Sequence, residues 1–160
     1  MDALLAEEVG RLLRSKGLTI SVGESCTGGR LGDMLTDVPG SSDYFLGGVI
    51  SYSNDAKVNL LGVNSKTLKA RGAVSEEVAI QMAAGARTRL GADIGIGVTG
   101  IAGPAGGTPT KPVGLVYVAV SSRRSSECSR NVFRGSRSSI KDKSARKALE
   151  MVRELLERTG

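Results

Sequence analysis

The chain of 160 residues contains no histidine, no tryptophan and only two cysteines. Without imidazole, a hydrolase that works near neutral pH must activate its nucleophile with a lysine, a carboxylate, a metal or a terminal amine. Cys26 and Cys128 are too few for a disulfide framework or a four-ligand zinc site. We therefore expect no structural metal.

Long apolar runs are missing as well. No stretch approaches the roughly 20 residues that a membrane-spanning helix needs. The beginning of the chain carries Asp2, Glu7 and Glu8 and lacks the basic region of a signal peptide. These absences predict a cytoplasmic protein that does not enter a membrane.

Aromatic residues make up only 3% of the chain, whereas glycine occurs 22 times and 40% of the residues are hydrophobic. Such a chain must build its core from aliphatic side chains, which suits helices packed closely on a sheet. We expect one domain spanning 1–160. The net charge of +6 favours anionic partners, but a solvated basic face is the simpler explanation. Nucleic acid is poorly supported, because no aromatic residues interleave with the C-terminal cations as stacking platforms.

The spacing of apolar residues alternates between helical and strand periods, which predicts an α/β domain. Helices are predicted near 4–13, 27–35, 76–90 and 138–156, with a short helix carrying Lys57 that Asn54 or Asp55 would cap. Strands are predicted at 18–22, 47–53, 93–98, 113–120 and 128–133. The segment 99–112 between two of these strands is a long loop rich in glycine and proline.

Two short segments fit activation of a nucleophile by lysine, and each follows a predicted strand. Ser25 comes directly after the first strand, and Lys57 closes the polar run 51–57 after the second. A serine hydroxyl attacks only when a neighbour takes its proton, and a lysine can do so when burial lowers its pKa. From spacing alone, Ser25 is equally well explained as a helix N-cap. Spacing alone favours an exposed helix lysine at position 57 over a base.

Three neighbouring features leave alternatives open. Cys26 is a rival nucleophile at a helix start, or else a small buried thiol. The amides of Thr27 and Gly28 are candidates to stabilise an oxyanion or to hold substrate. Tyr52 in such a strand is more often a core aromatic than a proton shuttle.

A glycine-rich run, TGIAG at 99–103, follows a predicted strand, as a phosphate or oxyanion loop should. It matches neither the P-loop nor the dinucleotide pattern. Lys111 and Arg137 are cations that can meet a phosphate, although each alone is explained as a surface charge. Thr99 and the adjoining amides are the candidates to bind ribose phosphate or the oxyanion.

Five motifs together resemble one family: ESCTGG at 24–29, PGSS at 39–42, GGVISYSNDAK at 47–57, GAVS at 72–75 and VTGIAGP at 98–104. Their identity and order are similar to the C-terminal domain of CinA proteins, over nearly the whole chain. The resemblance implies a three-layer α/β/α sandwich with a mixed sheet. It also implies that larger CinA proteins carry an additional N-terminal domain, which this chain lacks.

The free-standing form of that domain is a nicotinamide mononucleotide deamidase. The resemblance therefore implies a cytoplasmic bacterial amidohydrolase that produces nicotinate mononucleotide and ammonia. We expect no cofactor to be required, and we expect a homo-oligomer because this is usual for such small enzymes. A non-catalytic nucleotide- or nucleic-acid-binding regulator with the same fold is the alternative function.

The resemblance also implies roles for individual residues. Ser25 would be the nucleophile and Lys57 the base, with the Tyr52 hydroxyl polarising one of them. The chain departs from the family at Ser136, which removes a carboxylate that could orient Arg137, and at Lys141, which replaces the planar fork of an arginine. The expected substrate-binding residues are Thr27, Gly28, Ser42, Thr99, Gly100, Gly103 and Arg137.

Overall fold

The structure is a computed structural model that describes residues 2–159. Within that range the helices are α1 (Asp2–Lys16), α2 (Arg30–Thr36), α3 (Asn54–Leu61), α4 (Ser65–Arg71), α5 (Glu76–Leu90) and α6 (Arg137–Arg158). The strands are β1 (Ile20–Glu24), β2 (Phe45–Ile50), β3 (Ile94–Gly100), β4 (Leu115–Ser121) and β5 (Ser126–Val132). No helix of residues 2–159 combines the length and apolarity that crossing a lipid bilayer requires.

The five strands form one mixed sheet in the order β2-β1-β3-β4-β5. The first three in this order run parallel, whereas β4 and β5 continue the sheet in antiparallel pairs. The carboxyl ends of the parallel strands meet at one edge, where Glu24 lies opposite both Ile50 and Val98. The residues that follow these three positions therefore share one end of the sheet, which is where α/β proteins commonly place their sites.

Helices cover both faces of the sheet. Helices α1, α2 and α6 pack together on one face, while α3, α4 and α5 pack on the other. The core is aliphatic, as the composition predicts, with Leu13, Ile96 and Leu149 among its fully buried members. These layers confirm the predicted α/β/α sandwich with a mixed sheet.

The starts of helices α2 and α3 differ from the sequence prediction in ways that affect the site. Helix α2 begins at Arg30 rather than near position 27, because Gly28 and Gly29 have positive φ values of 59° and 107° that a regular helix cannot contain. Helix α3 is capped by the Ser53 hydroxyl, which accepts a hydrogen bond from the Ala56 amide at 3.1 Å, and not by Asn54 or Asp55. The structure thus leaves a separate turn at 25–29, between β1 and α2.

Helix α6 brings a cation to the same end of the sheet. The Ser136 hydroxyl caps this helix by accepting a hydrogen bond from the Ser139 amide at 3.1 Å. Arg137 is consequently its first residue, one position before the predicted start. The helix then runs across the sheet and buries its apolar stripe against α1 and β4.

Candidate active site

The structure brings Ser25 and Lys57 into direct contact. Ser25 follows the last residue of β1, and Lys57 lies in the first turn of α3, which follows β2. Because β1 and β2 are parallel neighbours, Lys57 Nζ lies 2.9 Å from Ser25 Oγ. Lys57 is 1% exposed and Ser25 is 8% exposed. The pair is therefore a buried hydroxyl and amine within reach of proton transfer.

Two backbone carbonyls hold the Lys57 amine. Nζ donates to the Ser51 carbonyl at 2.6 Å and to the Tyr52 carbonyl at 3.4 Å. Among residues 2–159, no carboxylate forms an ion pair with this amine. Burial accordingly lowers the pKa of Lys57 below its ordinary value of 10.5, and Cys26 opposes this shift.

These contacts suit a neutral amine that acts as a base. A neutral lysine has two N–H groups and one lone pair, and the two carbonyls can take both hydrogens. Nζ donates its third hydrogen to the Ser25 hydroxyl when the amine is charged, and the lone pair takes that direction when the amine is neutral. In the neutral form the arrangement therefore presents the lone pair to the hydroxyl proton of Ser25.

The buried amine should also make stability depend on pH. The folded-state pKa of Lys57 lies below the value of the unfolded chain, so the unfolded chain binds more protons between these two values. The free energy of unfolding should therefore rise with pH through that window. Below the folded-state pKa the amine is charged in both states, and its burial then destabilises the fold by the largest amount.

We expect Lys57→Met to flatten this rise, because methionine fills a similar space without a titrating group. Urea denaturation of parent and variant, from neutral pH to the ordinary lysine pKa, measures the difference. Lys66→Met serves as the control, because Lys66 is an exposed residue of α4. Identical pH slopes in the Lys57→Met protein and the parent would contradict the lowered pKa.

Glu24 is a site residue that the sequence analysis missed. Its side chain is 2% exposed and accepts hydrogen bonds from the amides of Gly29, Leu31 and Gly32 at 3.2, 3.0 and 2.9 Å. The carboxylate therefore accepts hydrogen bonds from backbone amides at the start of α2. The sequence signal was its place directly before the serine, in the ESCTGG motif.

The pair opens into a cleft of about 270 Å³. Thr99 forms part of the wall, and its hydroxyl donates to the Ala73 carbonyl at 2.9 Å. That bond fixes the threonine side chain and leaves its oxygen able to accept a hydrogen bond. The lining residues are Ser25, Cys26, Tyr52, Asn54, Lys57, Ala73, Val74, Thr99, Gly100, Ile101, Ala102, Gly103, Ala105, Gly106 and Arg137.

Arg137 closes one side of the cleft. Its guanidinium donates to the Gly103 carbonyl at 2.7 Å and to the Tyr52 hydroxyl at 3.2 Å. The family has a carboxylate at position 136, which we expected to orient Arg137. In this chain these two oxygens orient the guanidinium instead, and Ser136 caps α6. Within residues 2–159, no acidic side chain neutralises the Arg137 charge.

The role expected of the Tyr52 hydroxyl requires correction. The Tyr52 side chain is 64% exposed, and its hydroxyl contacts Arg137 rather than Ser25 or Lys57 among the described residues. The exposed direction follows from its place beyond the end of β2, where the strand has left the sheet. Tyr52 instead serves the amine through its backbone carbonyl.

Cys26 lies in the cleft wall, but its chemistry differs from that of Ser25. The thiol is 6% exposed, and burial raises the pKa of Cys26 to about 11. A thiol with so high a pKa carries almost no thiolate near neutral pH, and the thiolate is the reactive form. Burial similarly raises the pKa of Cys128, which lies on β5, to about 12.

Several predicted contacts do not converge on the cleft. Ser42 lies in the turn before β2, at the opposite end of that strand from the cleft. The Lys111 ammonium donates to the Arg71 carbonyl at 2.6 Å and is outside the cleft lining.

The Gly28 amide donates to the Ser25 carbonyl at 3.1 Å, so it is not free to hold an anion. Thr27 is 1% exposed, and its hydroxyl has no partner among the described residues.

A larger cavity of about 500 Å³ lies at the other end of the sheet, near Lys16, Asp93 and Arg124. Its lining includes charged residues and apolar ones such as Leu155, but no hydroxyl and amine in contact as at Ser25 and Lys57. The smaller cleft is therefore the candidate site, because it joins the buried Ser25–Lys57 contact to an uncompensated guanidinium.

Comparisons with known proteins agree with this architecture. A model of the CinA C-terminal domain matches residues 2–156. The chain is 54% identical over 156 residues to a CinA-like protein of Nostoc punctiforme, covering 95% of this chain and 37% of that protein. It is 65% identical over 116 residues to a CinA-like protein of another Nostoc strain, covering 72% of this chain and 27% of that protein. The chain thus spans little more than a third, or less, of these relatives.

Solved structures cover the chain more fully. A CinA superfamily protein from Klebsiella pneumoniae superposes with a TM-score of 0.95 at 34% identity, covering 99% of each chain. The competence/damage inducible protein CihA from Agrobacterium tumefaciens gives a TM-score of 0.93 at 40% identity, covering 98% of this chain and 95% of that one. The chain belongs to the CinA C-terminal domain family.

Proposed function

We propose that this protein is an amidohydrolase that deamidates nicotinamide mononucleotide to nicotinate mononucleotide and ammonia. The observation that carries the proposal is the buried contact of 2.9 Å between Lys57 Nζ and Ser25 Oγ. A nucleophile next to a base of lowered pKa is one arrangement that supports amide hydrolysis when histidine is absent. The family resemblance supplies the substrate.

The reaction proceeds in two halves. Ser25 Oγ bonds to the carboxamide carbon while its proton passes to Lys57, and the carbonyl electron pair moves to the oxygen. The carbon–nitrogen bond then breaks, and ammonia leaves with the proton from Lys57. A water molecule attacks the resulting ester with Lys57 again as base, which releases the carboxylate product and restores Ser25.

The phosphate of the substrate would lie near Arg137. Its guanidinium charge is uncompensated among the described residues, and Thr99 and the loop 100–103 form the adjoining wall of the cleft. Arginine binds phosphate through paired, charge-assisted hydrogen bonds. Binding there would exchange one of the present contacts of Arg137 for phosphate oxygens.

The decisive assay measures ammonia and nicotinate mononucleotide released by the purified protein, with EDTA present. We expect equal amounts of the two products, and no loss of rate from EDTA, because the proposed proton transfers use only Ser25 and Lys57. Tight binding of the mononucleotide without any turnover would instead favour the non-catalytic regulator.

A comparison of two substrates tests the phosphate contact. We expect nicotinamide riboside to be the poorer substrate by about 2 kcal/mol, or roughly 30-fold in kcat/KM, because it lacks charge-assisted hydrogen bonds to Arg137. Arg137→Ala should reduce this preference by lowering kcat/KM for the mononucleotide alone.

Lys111→Ala is the matched control, since Lys111 is a cation bonded to a carbonyl outside the cleft. It should leave the preference unchanged. Equal use of the two substrates by the parent would rule out a phosphate site. A full preference in Arg137→Ala would assign that site to other residues.

A further inference from the structure

Glu24 links the two halves of the candidate site through its backbone. Its carbonyl accepts hydrogen bonds from the Ser51 amide at 2.7 Å and from the Ser51 hydroxyl at 3.3 Å. The Ser51 carbonyl in turn accepts the hydrogen bond from Lys57 Nζ. The residue that precedes the nucleophile therefore also anchors the segment that orients the base.

The side chain of Glu24 fixes the turn at 25–29 from its far end. Its carboxylate accepts from the amides of Gly29, Leu31 and Gly32, and all three contacts are buried or partly buried. A buried carboxylate is stable in such a place because charge-assisted bonds from backbone amides offset its desolvation. The turn is consequently held at Ser25 by β1 and at Gly29 by the same residue.

This arrangement determines which amides of the turn remain available. The Ser25 amide donates to the Val98 carbonyl at 3.0 Å, and the Gly28 amide donates to the Ser25 carbonyl. The amides of Cys26 and Thr27 donate to no other residue of the described chain. Cys26 lines the cleft directly after Ser25, so its amide is a candidate donor to an oxygen developing on the attacked carbon.

We propose that Glu24 is a positioning residue that holds the turn at 25–29 so that the Cys26 amide stabilises the oxyanion. When Ser25 Oγ bonds to the amide carbon, the carbonyl electron pair moves to oxygen, and the Cys26 N–H donates to that charge. The inference depends on the serine attack in the proposed function, but not on the identity of the substrate.

Glu24→Gln tests the proposal by kinetics. Glutamine has the same shape, but its NH₂ group must face either the Gly32 amide or the amides of Gly29 and Leu31, which displaces the start of α2 and the turn joined to it. We expect kcat to fall about 100-fold, the loss typical of one oxyanion donor, with KM changed less than about threefold. If Glu24 had a purely structural role, Glu24→Gln would lower the melting temperature without reducing kcat far more than it changes KM.

Asp93→Asn is the matched control. The Asp93 carboxylate also accepts from backbone and hydroxyl donors, namely the amide and Oγ1 of Thr19 at 2.9 and 3.1 Å, at the opposite end of the sheet. It should lower stability and leave kcat near the parental value. If both variants lose kcat in proportion to stability, the positioning role is overturned.

A second measurement is independent of any amide substrate. Pyridine-3-boronic acid can form a tetrahedral adduct with Ser25 Oγ, with a negative oxygen in the position of the oxyanion. Boron NMR should detect this adduct in the parent and not in Ser25→Ala, and Glu24→Gln should weaken its binding at least tenfold, in line with the kcat loss. An adduct in the parent without mononucleotide turnover would refute the proposed substrate and leave the Glu24 test intact.

Glu24→Asp provides a second variant should Glu24→Gln fail to fold. Aspartate keeps the charge but is one methylene shorter, so its carboxylate cannot reach the amides of Gly29, Leu31 and Gly32 together. We expect a loss of kcat and of boronate affinity together, by about three- to tenfold. Parental boronate affinity in either folded Glu24 variant, or no adduct in the parent, would overturn the proposal.

Discussion

Ser25→Ala is expected to abolish amide hydrolysis, while Cys26→Ala retains most of it. Loss of a covalent nucleophile costs several orders of magnitude in rate. The Ser25 hydroxyl contacts the Lys57 amine at 2.9 Å, whereas burial raises the pKa of the Cys26 thiol to about 11. Removing that thiol should cost about 1 kcal/mol of stability through packing.

Initial rates of ammonia release, with melting temperatures of both variants, measure this contrast. Cys26→Ala is the natural control, because it alters the neighbouring residue of the same turn and the same cleft wall. Parental turnover by Ser25→Ala would remove serine as the nucleophile. A complete loss in a folded Cys26→Ala protein would transfer the attack to the thiol.

Lys57→Arg is expected to be inactive over the pH range in which the parent works. A guanidinium does not give up its proton there, so it cannot receive the proton of Ser25. In the parent, kcat/KM should rise with pH through the lowered pKa of Lys57, since the neutral amine is the active base. The rise should therefore lie below the ordinary lysine value of 10.5.

A pH profile of kcat/KM for the parent and for Lys57→Arg provides the measurement. Lys66→Arg, in the exposed first turn of α4, is the control and should reproduce the parental profile. Substantial activity in Lys57→Arg would exclude Lys57 as the base. A rise of the parental kcat/KM near pH 4, where a carboxylate titrates, would also exclude Lys57 as the base.

Local sequence features predicted much of the fold. Alternating apolar periods located the five strands, and glycine after α1 and α5 marked the ends of those helices, where Gly17 and Gly91 have positive φ. Helix α4 was missed because Leu68 is its only buried residue, so it has no apolar stripe to detect. Its signal was the capping residue Asn64, which accepts from the Lys66 amide at 2.8 Å.

The candidate site was predictable where chemistry restricts residue type, and less so where geometry decides. The absence of histidine made Lys57 the expected base, but only the pairing of β1 with β2 determines that it meets Ser25. The anchoring carbonyls belong to the backbone, and backbone acceptors leave no mark on residue type. Ser42 belongs to a matched motif yet lies at the wrong end of β2, because sequence order does not show which end of a strand faces the cleft.

The place of β2 in the sheet makes the two halves of the site unequal in local stability. This strand is bordered by β1 on one side and by no described strand on the other, whereas β1 lies between β2 and β3. An outer strand separates from a sheet at a lower free energy than a central one. Lys57, which depends on the segment after β2, can therefore withdraw while Ser25 stays in place. Inactivation by heat would then report the fraying of one strand, well before the cooperative unfolding of the whole domain.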